Sequence, residues 1–185
     1  MQNIFNLEQI YSKMRENSPS IINVIPMVFY IHMKQDPSKT NSTNFNKTTI
    51  GNNDLIQTYS SSLYTNVDNQ LNVDGYIGSE SSNVTVYNYN VHNTNNLYES
   101  FVQSVYRLPD GSIGISHTPK LQHFNDYYAL PSNNTLHIAP VVFGTGMYID
   151  KRGIAGIISS PSSSVKALIL FLYNNPIEPI IPFPV

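Results

Sequence analysis

A Gly-Thr-Gly turn between apolar strands constrains the fold of this chain more than any other sequence feature. Residues 136–173 have the sequence LHIAPVVFGTGMYIDKRGIAGIISSPSSSVKALILFLY, in which one apolar strand ends at the turn 144–146 and the next begins at the Arg-Gly pair 152–153. A third and almost wholly apolar strand completes the unit. Glycine is favoured where the backbone needs a positive φ or passes close to another strand, as at a barrel corner. We therefore expect three glycines to be structural positions of a β-barrel: Gly144, Gly146 and Gly153.

The rest of the chain has the pattern of short strands separated by turns. Apolar and β-branched residues recur at roughly ten-residue spacing without helical insertions, which is typical of an antiparallel sandwich or barrel. The predicted strands lie at 21–33, 54–65, 71–79, 83–92, 98–107, 112–118, 136–142, 153–160 and 164–173. We interpret Ser81-Ser82 as one of the turns between them. Residues 4–16 predict one amphipathic helix, and the polar residues 35–53 predict a long loop.

Three parts follow from this pattern: a helical arm at 1–20, a barrel domain at 21–173 and an extended arm at 174–185. The last part contains four of the twelve prolines, and proline at this density favours an extended path. Its isoleucine, phenylalanine and valine side chains are too apolar for a solvated linker. Such an arm needs a groove, either on its own barrel or on a neighbouring subunit, and we expect the neighbouring subunit.

The composition argues against several functions and several cellular locations. A net charge of −2 with 12% charged residues gives no general attraction to nucleic acid or to an anionic membrane, whereas a weakly charged surface favours self-association. No apolar run reaches the roughly 18 residues that span a bilayer, and we find no signal peptide at the N-terminus. The absence of cysteine excludes disulfides and thiolate metal sites. These features favour an intracellular or virion protein, and the excess of asparagine is typical of an A/T-rich viral or protist genome.

Several motifs resemble the allene oxide cyclase and dirigent families. Both families have a strand, a Gly-Gly-Thr-Gly or Gly-Gly-Ser-Gly turn, an aromatic residue and then an Arg-Gly or Tyr-Gly pair. This chain has FGTGMY at 143–148, with Phe143 in place of the first glycine, followed by the Arg-Gly pair 152–153. The stretches GNNDL, DGYIG and VYRLPDGSI, at 51–55, 74–78 and 105–113, are similar to further elements in the same order. The resemblance implies an antiparallel barrel of eight or nine strands that takes a small apolar ligand.

Arg152 is the pocket residue that the resemblance implies, because dirigent proteins carry an arginine just before glycine in the pocket wall. The alternative is an outward-facing arginine in a tight turn. A barrel that binds a reactive small molecule needs a mostly apolar interior with a few polar groups that position it and move a proton. Our candidates for ligand binding are Arg152, Tyr106, His117 and His137, and Asp74 and Glu99 are further polar candidates. No residue is identifiable as catalytic.

Neither a metal nor a cofactor is predicted. The five histidines show no His-x-His or His-x-x-x-His spacing, and a metal site needs ligands that converge. The Gly-Thr-Gly turn is followed by Ile149, where a dinucleotide-binding fingerprint needs glycine. His117 and His137 fall in strands that are candidates for neighbouring positions, as a polar pair in a pocket or as ordinary strand histidines with satisfied hydrogen bonds.

Two functions from different classes fit these features. The first is a non-enzymatic structural or assembly protein that associates with copies of itself through tyrosine-rich strand faces, such as that of 83–92, and through its terminal arms. The second is a barrel that binds or isomerises a small apolar ligand. We favour the first, because the sequence has no recognisable catalytic set and likeness of fold alone does not carry function. Whether the chain is an enzyme is left undecided at this point.

Overall fold

The computed structural model describes residues 5–32, 40–42, 55–89, 98–117, 127–129, 134–159 and 163–174. These residues form one α-helix, two short 3-10 helices and ten strands. In chain order they are α1 (Leu7–Asn17), a 3-10 helix (Pro19–Ile21), β1 (Met27–His32), β2 (Thr40–Ser42), β3 (Leu55–Val67), β4 (Val73–Tyr89), β5 (Tyr98–Leu108), β6 (Gly111–His117), β7 (Tyr127–Ala129), β8 (Thr135–Gly144), a 3-10 helix (Gly146–Tyr148), β9 (Lys151–Ser159) and β10 (Val165–Asn174). No helix in this described part of the chain is long and apolar enough to cross a membrane.

Eight of the strands form a closed antiparallel barrel. Neighbouring strands follow the order β1-β10-β9-β8-β6-β5-β4-β3, and the ring closes because β3 also pairs with β1. The short strands β2 and β7 lie outside the ring, on β3 and β8 respectively. The prediction of an antiparallel barrel with a short N-terminal helix is confirmed. The extended arm lies outside the described residues from position 175 onward.

Two apolar clusters lie on the two faces of the barrel wall, since successive side chains of a strand point to opposite faces. One cluster includes Ile10 and Met14 of α1 together with Ile169 of β10, and it lies outside the wall, where the helix packs. The other lines the interior and includes Leu168 and Leu170, which alternate with Ile169. The buried members of the interior cluster are Phe29, Ile31, Leu63, Tyr106, Ile113, Ile115, Ala139, Tyr148, Ala155, Leu168 and Leu170.

Helix α1 covers part of the outer face of its own barrel. Asn6 begins the helix by accepting a hydrogen bond from the backbone N–H of Gln9 on its side-chain oxygen, at 3.3 Å. One turn apart, Ile10 and Met14 are both buried against the wall. The guanidinium of Arg15 lies 5.6 Å from the ring centre of Phe171 on β10, which adds a cation–π contact. The residues of the predicted helical arm thus pack on the same chain.

Strand β4 is continuous from Val73 to Tyr89, whereas we predicted two strands with a turn at Ser81-Ser82. That interpretation is wrong, because both serines pair with residues of β3 and β5 in unbroken register. Serine favours turns when its hydroxyl has no partner other than the local backbone. Here the Ser82 hydroxyl has side-chain partners inside the barrel. Two smaller differences are that the strand predicted from residue 21 begins at Met27 and that β2 lies within the predicted loop 35–53.

One end of the barrel, which we call the turn end, has several apolar side chains in the interior. It is the end at which β3 joins β4, β5 joins β6 and β8 joins β9. The side chains that pack on the interior cluster there are Met27, Ile77, Leu108, Tyr148 and Leu172.

The Gly-Thr-Gly turn ties the β8–β9 connection to the β5–β6 turn. The backbone N–H of Thr145 donates to the carbonyl of Ser112, and the Thr145 hydroxyl accepts from the N–H of Ser112, both at 2.9 Å. Gly146 has a φ of +60°, and a Cβ at this position would overlap the carbonyl oxygen of Asp110. Glycine at 146 thus meets two requirements at once, a left-handed backbone and a close approach of two turns.

Replacing Gly146 by valine should lower the free energy of unfolding by more than about 1 kcal/mol, because a β-branched residue takes a positive φ only with strain. Urea unfolding followed by circular dichroism measures the change. The control is Met147→Val at the next and exposed position, which should stay within about 0.5 kcal/mol of the parent. Equal unfolding midpoints for the two variants would contradict the role assigned to Gly146.

Candidate functional site

A buried carboxyl group, that of Glu80, lies inside the barrel. Glu80 is on β4 and only 5% exposed. Its partner in register on β5 is Tyr106, whose hydroxyl donates a hydrogen bond to Oε1 of Glu80 at 3.3 Å. The hydroxyl of Ser82, two residues further along β4, donates to the same oxygen at 3.0 Å. Because residues two apart share a face of a strand, these groups all project into the interior.

A second hydroxyl extends this group away from the turn end. Ser104 lies opposite Ser82 in the β4–β5 register, and their Oγ atoms are 2.6 Å apart. A serine hydroxyl has one hydrogen to donate. If Ser82 gives it to Glu80, then Ser104 donates to Ser82, and the hydrogen bonds run in one direction toward the carboxyl group. We call the four residues the Glu80 cluster: Glu80, Ser82, Ser104 and Tyr106.

Burial raises the pKa of the Glu80 carboxyl above its ordinary value, because an ionised carboxylate loses its hydration inside the barrel. The hydrogen bond from Ser82, the positive charge of Lys166 and the nearby hydroxyls of Tyr106 and Ser104 oppose this effect but do not cancel it. Lys166 alternates along β10 with outward-facing Val165 and Ala167, so it faces the interior. The interior therefore contains a carboxyl group that keeps its proton nearer to neutral pH than an ordinary glutamate does.

Two of the four ligand-binding candidates from the sequence lie in this interior as described. Tyr106 belongs to the Glu80 cluster, and His137 is buried on β8, where it alternates with outward-facing Leu136 and Ile138. His117 is the register partner of Val102 on β6, and its side chain lies outside the described part of the chain. The strands of the two histidines, β6 and β8, are indeed neighbours.

Arg152, the candidate implied by the family resemblance, is on the outer face of β9. It is exposed and alternates with Gly153 and Ala155, of which Ala155 belongs to the interior cluster. The structure therefore does not bring Arg152 together with Tyr106 and His137, and its geometry matches the outward-facing alternative. Asp74 is also exposed, and its carboxylate accepts a hydrogen bond from the N–H of Gly75 at 2.7 Å. Among the described side chains, no three His, Asp or Glu residues lie close enough to hold a metal ion.

Sequence reasoning missed Glu80, Ser82, Ser104 and Lys166. The signal that would have found the first three is a pair of matching patterns, Glu-x-Ser on β4 and Ser-x-Tyr on β5, which put polar groups on one face of adjacent strands. Interpreting Ser81-Ser82 as a turn hid this pattern. Lys166 lies within a very apolar strand. Nothing in the neighbouring sequence indicates that this single lysine faces the interior.

Comparison with known proteins supports the fold. No protein-family model and no curated protein matches the sequence. Among solved structures, the chain is similar to the Diels-Alderase AbmU from Streptomyces koyangensis, with a TM-score of 0.54 and 13% identity over 95% of this chain and 84% of that one. It is also similar to the pterocarpan synthase dirigent protein PsPTS1, with a TM-score of 0.53 and 9% identity over 84% of this chain and 97% of that one.

A third similar structure is a pyocyanin demethylase, with a TM-score of 0.53 and 15% identity over 80% of this chain and 100% of that one. Identities this low show a shared fold and carry no function by themselves. The resemblance to dirigent barrels, inferred from short motifs, is confirmed at the level of the fold.

The raised pKa of Glu80 predicts a pH dependence of stability. Below the ordinary glutamate pKa of 4.5, Glu80 is protonated in both the folded and the unfolded chain. Between that value and the raised pKa, the unfolded chain loses the proton that the folded chain keeps, so the contribution of Glu80 to stability is lost as the pH rises. Glu80→Gln should reduce this loss, as measured by urea unfolding from pH 4 to pH 8.

The matched control is Glu16→Gln at the exposed end of α1, where the substitution removes only a surface ion pair with Lys13, so the loss of stability attributed to Glu80 should persist. A Glu80→Gln profile that runs parallel to that of the parent over this range would contradict the raised pKa.

Proposed function

We propose that this chain binds a small, largely apolar molecule inside the barrel. We propose further that Glu80 transfers a proton between two atoms of that molecule. The observation that carries the proposal is the Glu80 cluster, which lies in the same interior as Lys166, His137 and a larger number of apolar side chains. Burying a carboxyl group costs free energy that a wholly apolar filling would not incur. A titratable group with a perturbed pKa in an enclosed site is, in contrast, what acid–base chemistry needs.

The interior offers both kinds of contact that such a ligand requires. Side chains such as Phe29, Ile115 and Leu168 present apolar surface to the body of the molecule. The Glu80 cluster presents hydroxyl and carboxyl groups to a polar atom, and binding sites for small molecules commonly combine many apolar contacts with a few polar ones. Lys166 adds a positive charge, which favours a ligand with a carbonyl or another electron-rich oxygen.

The hydrogen bonds assign roles to the two oxygens of Glu80. Both hydroxyl donors, Ser82 and Tyr106, bind Oε1, so the proton of a neutral carboxyl group belongs on Oε2. Transfer of this proton to the ligand leaves a carboxylate that the same two hydroxyls and the Lys166 charge stabilise. The carboxylate then takes a proton from a neighbouring carbon of the same molecule. The outcome is an isomerisation in which Glu80 is regenerated and no co-reactant is consumed.

The structural neighbours support this proposal by analogy. They are described as a Diels-Alderase, a pterocarpan synthase dirigent protein and a demethylase. Barrels of this shape thus serve in several different enzymes, although a shared fold does not fix which reaction a chain performs.

Self-association is the second function that we propose, with a structural role for the assembly. It is supported by large apolar side chains that are exposed on the described surface, namely Ile22, Ile25, Tyr76, Val142, Phe143, Met147 and Ile149. The tyrosine-rich face of 83–92 lies mostly outside the described side chains, and α1 is already packed on its own barrel. Self-association is compatible with ligand binding, because none of these exposed residues belongs to the interior cluster.

Exchange of carbonyl-adjacent protons for deuterium tests the proposed proton transfer. The parent chain in heavy water should accelerate this exchange in small apolar enones, with cyclohexenone and benzylideneacetone as the first probes, followed by proton NMR. Glu80→Gln should lower the enzyme-dependent rate by about 10²-fold or more, which is the usual contribution of a general acid or base. Binding of the probe, measured by saturation-transfer NMR, should persist in this variant.

Glu16→Gln again serves as the control and should exchange the probes at the parental rate. Tyr106→Phe removes one hydrogen bond to Oε1 and should give an intermediate rate. If the parent binds neither the enones nor the apolar dye anilinonaphthalene sulfonate, the interior is a filled core and the proposal is wrong.

A further inference from the structure

We propose that an apolar ridge at the turn end of the barrel receives residues 175–185 of a second copy of this chain. The ridge consists of Val142, Phe143, Met147 and Ile149. This inference rests on the second proposed function, self-association, and is independent of ligand binding. It names both partners of the contact, so the surface and the segment can each be altered separately.

The ridge is a compact and unusually exposed apolar surface. Its side chains are 54%, 44%, 62% and 68% exposed in chain order, although all four lie within eight consecutive residues. The connection is folded tightly, since a Cβ at Gly144 would overlap the carbonyl oxygen of Tyr148. Single exposed apolar residues are common on proteins, whereas adjacent ones mark a site of interaction.

Phe143 is held in place by the neighbouring strand. It is the register partner of Gly114 on β6, and a Cβ at Gly114 would overlap the Phe143 ring. The ring thus lies flat on the backbone of β6 and still keeps nearly half of its surface exposed. An aromatic ring packed over a strand glycine is a rigid contact surface, since it has little freedom left to lose on binding.

The proline-rich segment leaves the barrel beside this ridge. Asn174, the last described residue, is the register partner of Lys151, and the Lys151 ammonium donates a hydrogen bond to its side-chain oxygen. Ile149 of the ridge lies only two residues before Lys151. The single charged residue of the segment is Glu178, and the exposed Arg152 next to the ridge offers it a cation. Segment and ridge are therefore matched in apolarity, and Arg152 is an exposed cation close in sequence to the ridge.

The spacing of the segment fits an extended, left-handed polyproline helix with one apolar stripe. This conformation has three residues per turn, and Ile177, Ile180 and Phe183 are three residues apart. They would project from one side, whereas Ile181 and Val185 would not. Proline-rich segments in this conformation bind to surfaces that carry aromatic side chains, and Phe143 supplies such a side chain in the ridge.

The segment of a second copy can reach the ridge more easily than the segment of the same chain can. Four prolines and the four residues that precede them make up eight of the eleven positions from 175 to 185, and this density favours an extended backbone along most of the segment. A segment that starts beside its own ridge would have to reverse within Asn175 and Pro176 to cover it. Extended, it reaches about 34 Å at roughly 3.1 Å per residue. Two copies with facing turn ends would each cover the ridge of the other.

Sedimentation velocity of the full chain and four variants tests this inference. The parent should sediment as a species larger than one copy. The ridge variant Met147→Ser/Ile149→Ser and the stripe variant Ile177→Ser/Ile180→Ser/Phe183→Ser should each weaken association at least tenfold. The controls Gln103→Ser, exposed on the outer face of β5, and Ile181→Ser/Val185→Ser, off the stripe, should associate like the parent. Circular dichroism should be the same for all five proteins.

Mixing the two weakened variants distinguishes between two sources of the segment that covers the ridge, a second copy and the same chain. The stripe variant keeps an intact ridge and the ridge variant keeps an intact segment, so the mixture should form mixed complexes that neither forms alone. Mixed complexes that fail to form would show that the segment covers its own ridge. A parental assembly that is insensitive to both variants would overturn the inference and leave self-association standing. A monomeric parent would overturn both.

Discussion

The barrel interior exists because β3 pairs with β1 and so joins the two edges of the sheet. The contact is short, with Tyr30 opposite Tyr64 and Ile31 opposite Leu63. Without it, both edge strands would expose unpaired backbone groups, and the face of the sheet that now points inward would face water. Closure turns the alternation of side chains along each strand into a division between inside and outside, and every assignment of the candidate site depends on that division.

Closure also gives Glu80 its chemistry. On an open sheet this carboxyl group would be hydrated and would have an ordinary pKa. Inside the ring it loses its hydration and receives hydrogen bonds from Ser82 and Tyr106. Burial raises its pKa, and Lys166 keeps the ionised form accessible by its charge. A group poised between these opposing effects can both give and take a proton. The outer face has a different role, since α1 covers part of it and the ridge leaves another part exposed.

The sequence predicted those elements whose local pattern agrees with their tertiary environment. Strand β10 is apolar on both faces, because α1 packs on one face and the other face points into the interior. Its continuous run of apolar residues therefore predicted a strand from the sequence. Strand β4 was divided in error because the partners that satisfy Ser82 are on β5 and cannot be seen locally. Arg152 was a pocket candidate because of a motif, with an outward-facing arginine as the alternative. Gly153 shares the inward face of β9 with Ala155, so the residue before it faces outward. Register, which decides such cases, is a long-range property.

The titration of the Glu80 carboxyl carbon, followed by carbon-13 NMR on the full chain, tests the central claim most directly. The resonance is assigned by its loss in Glu80→Gln. We expect its midpoint to lie above the ordinary glutamate value of 4.5, because the carboxylate is formed without its hydration shell. A midpoint at or below that value would show that Glu80 is hydrated or already paired as an anion, and it would contradict the account of Glu80 as a proton donor inside the barrel.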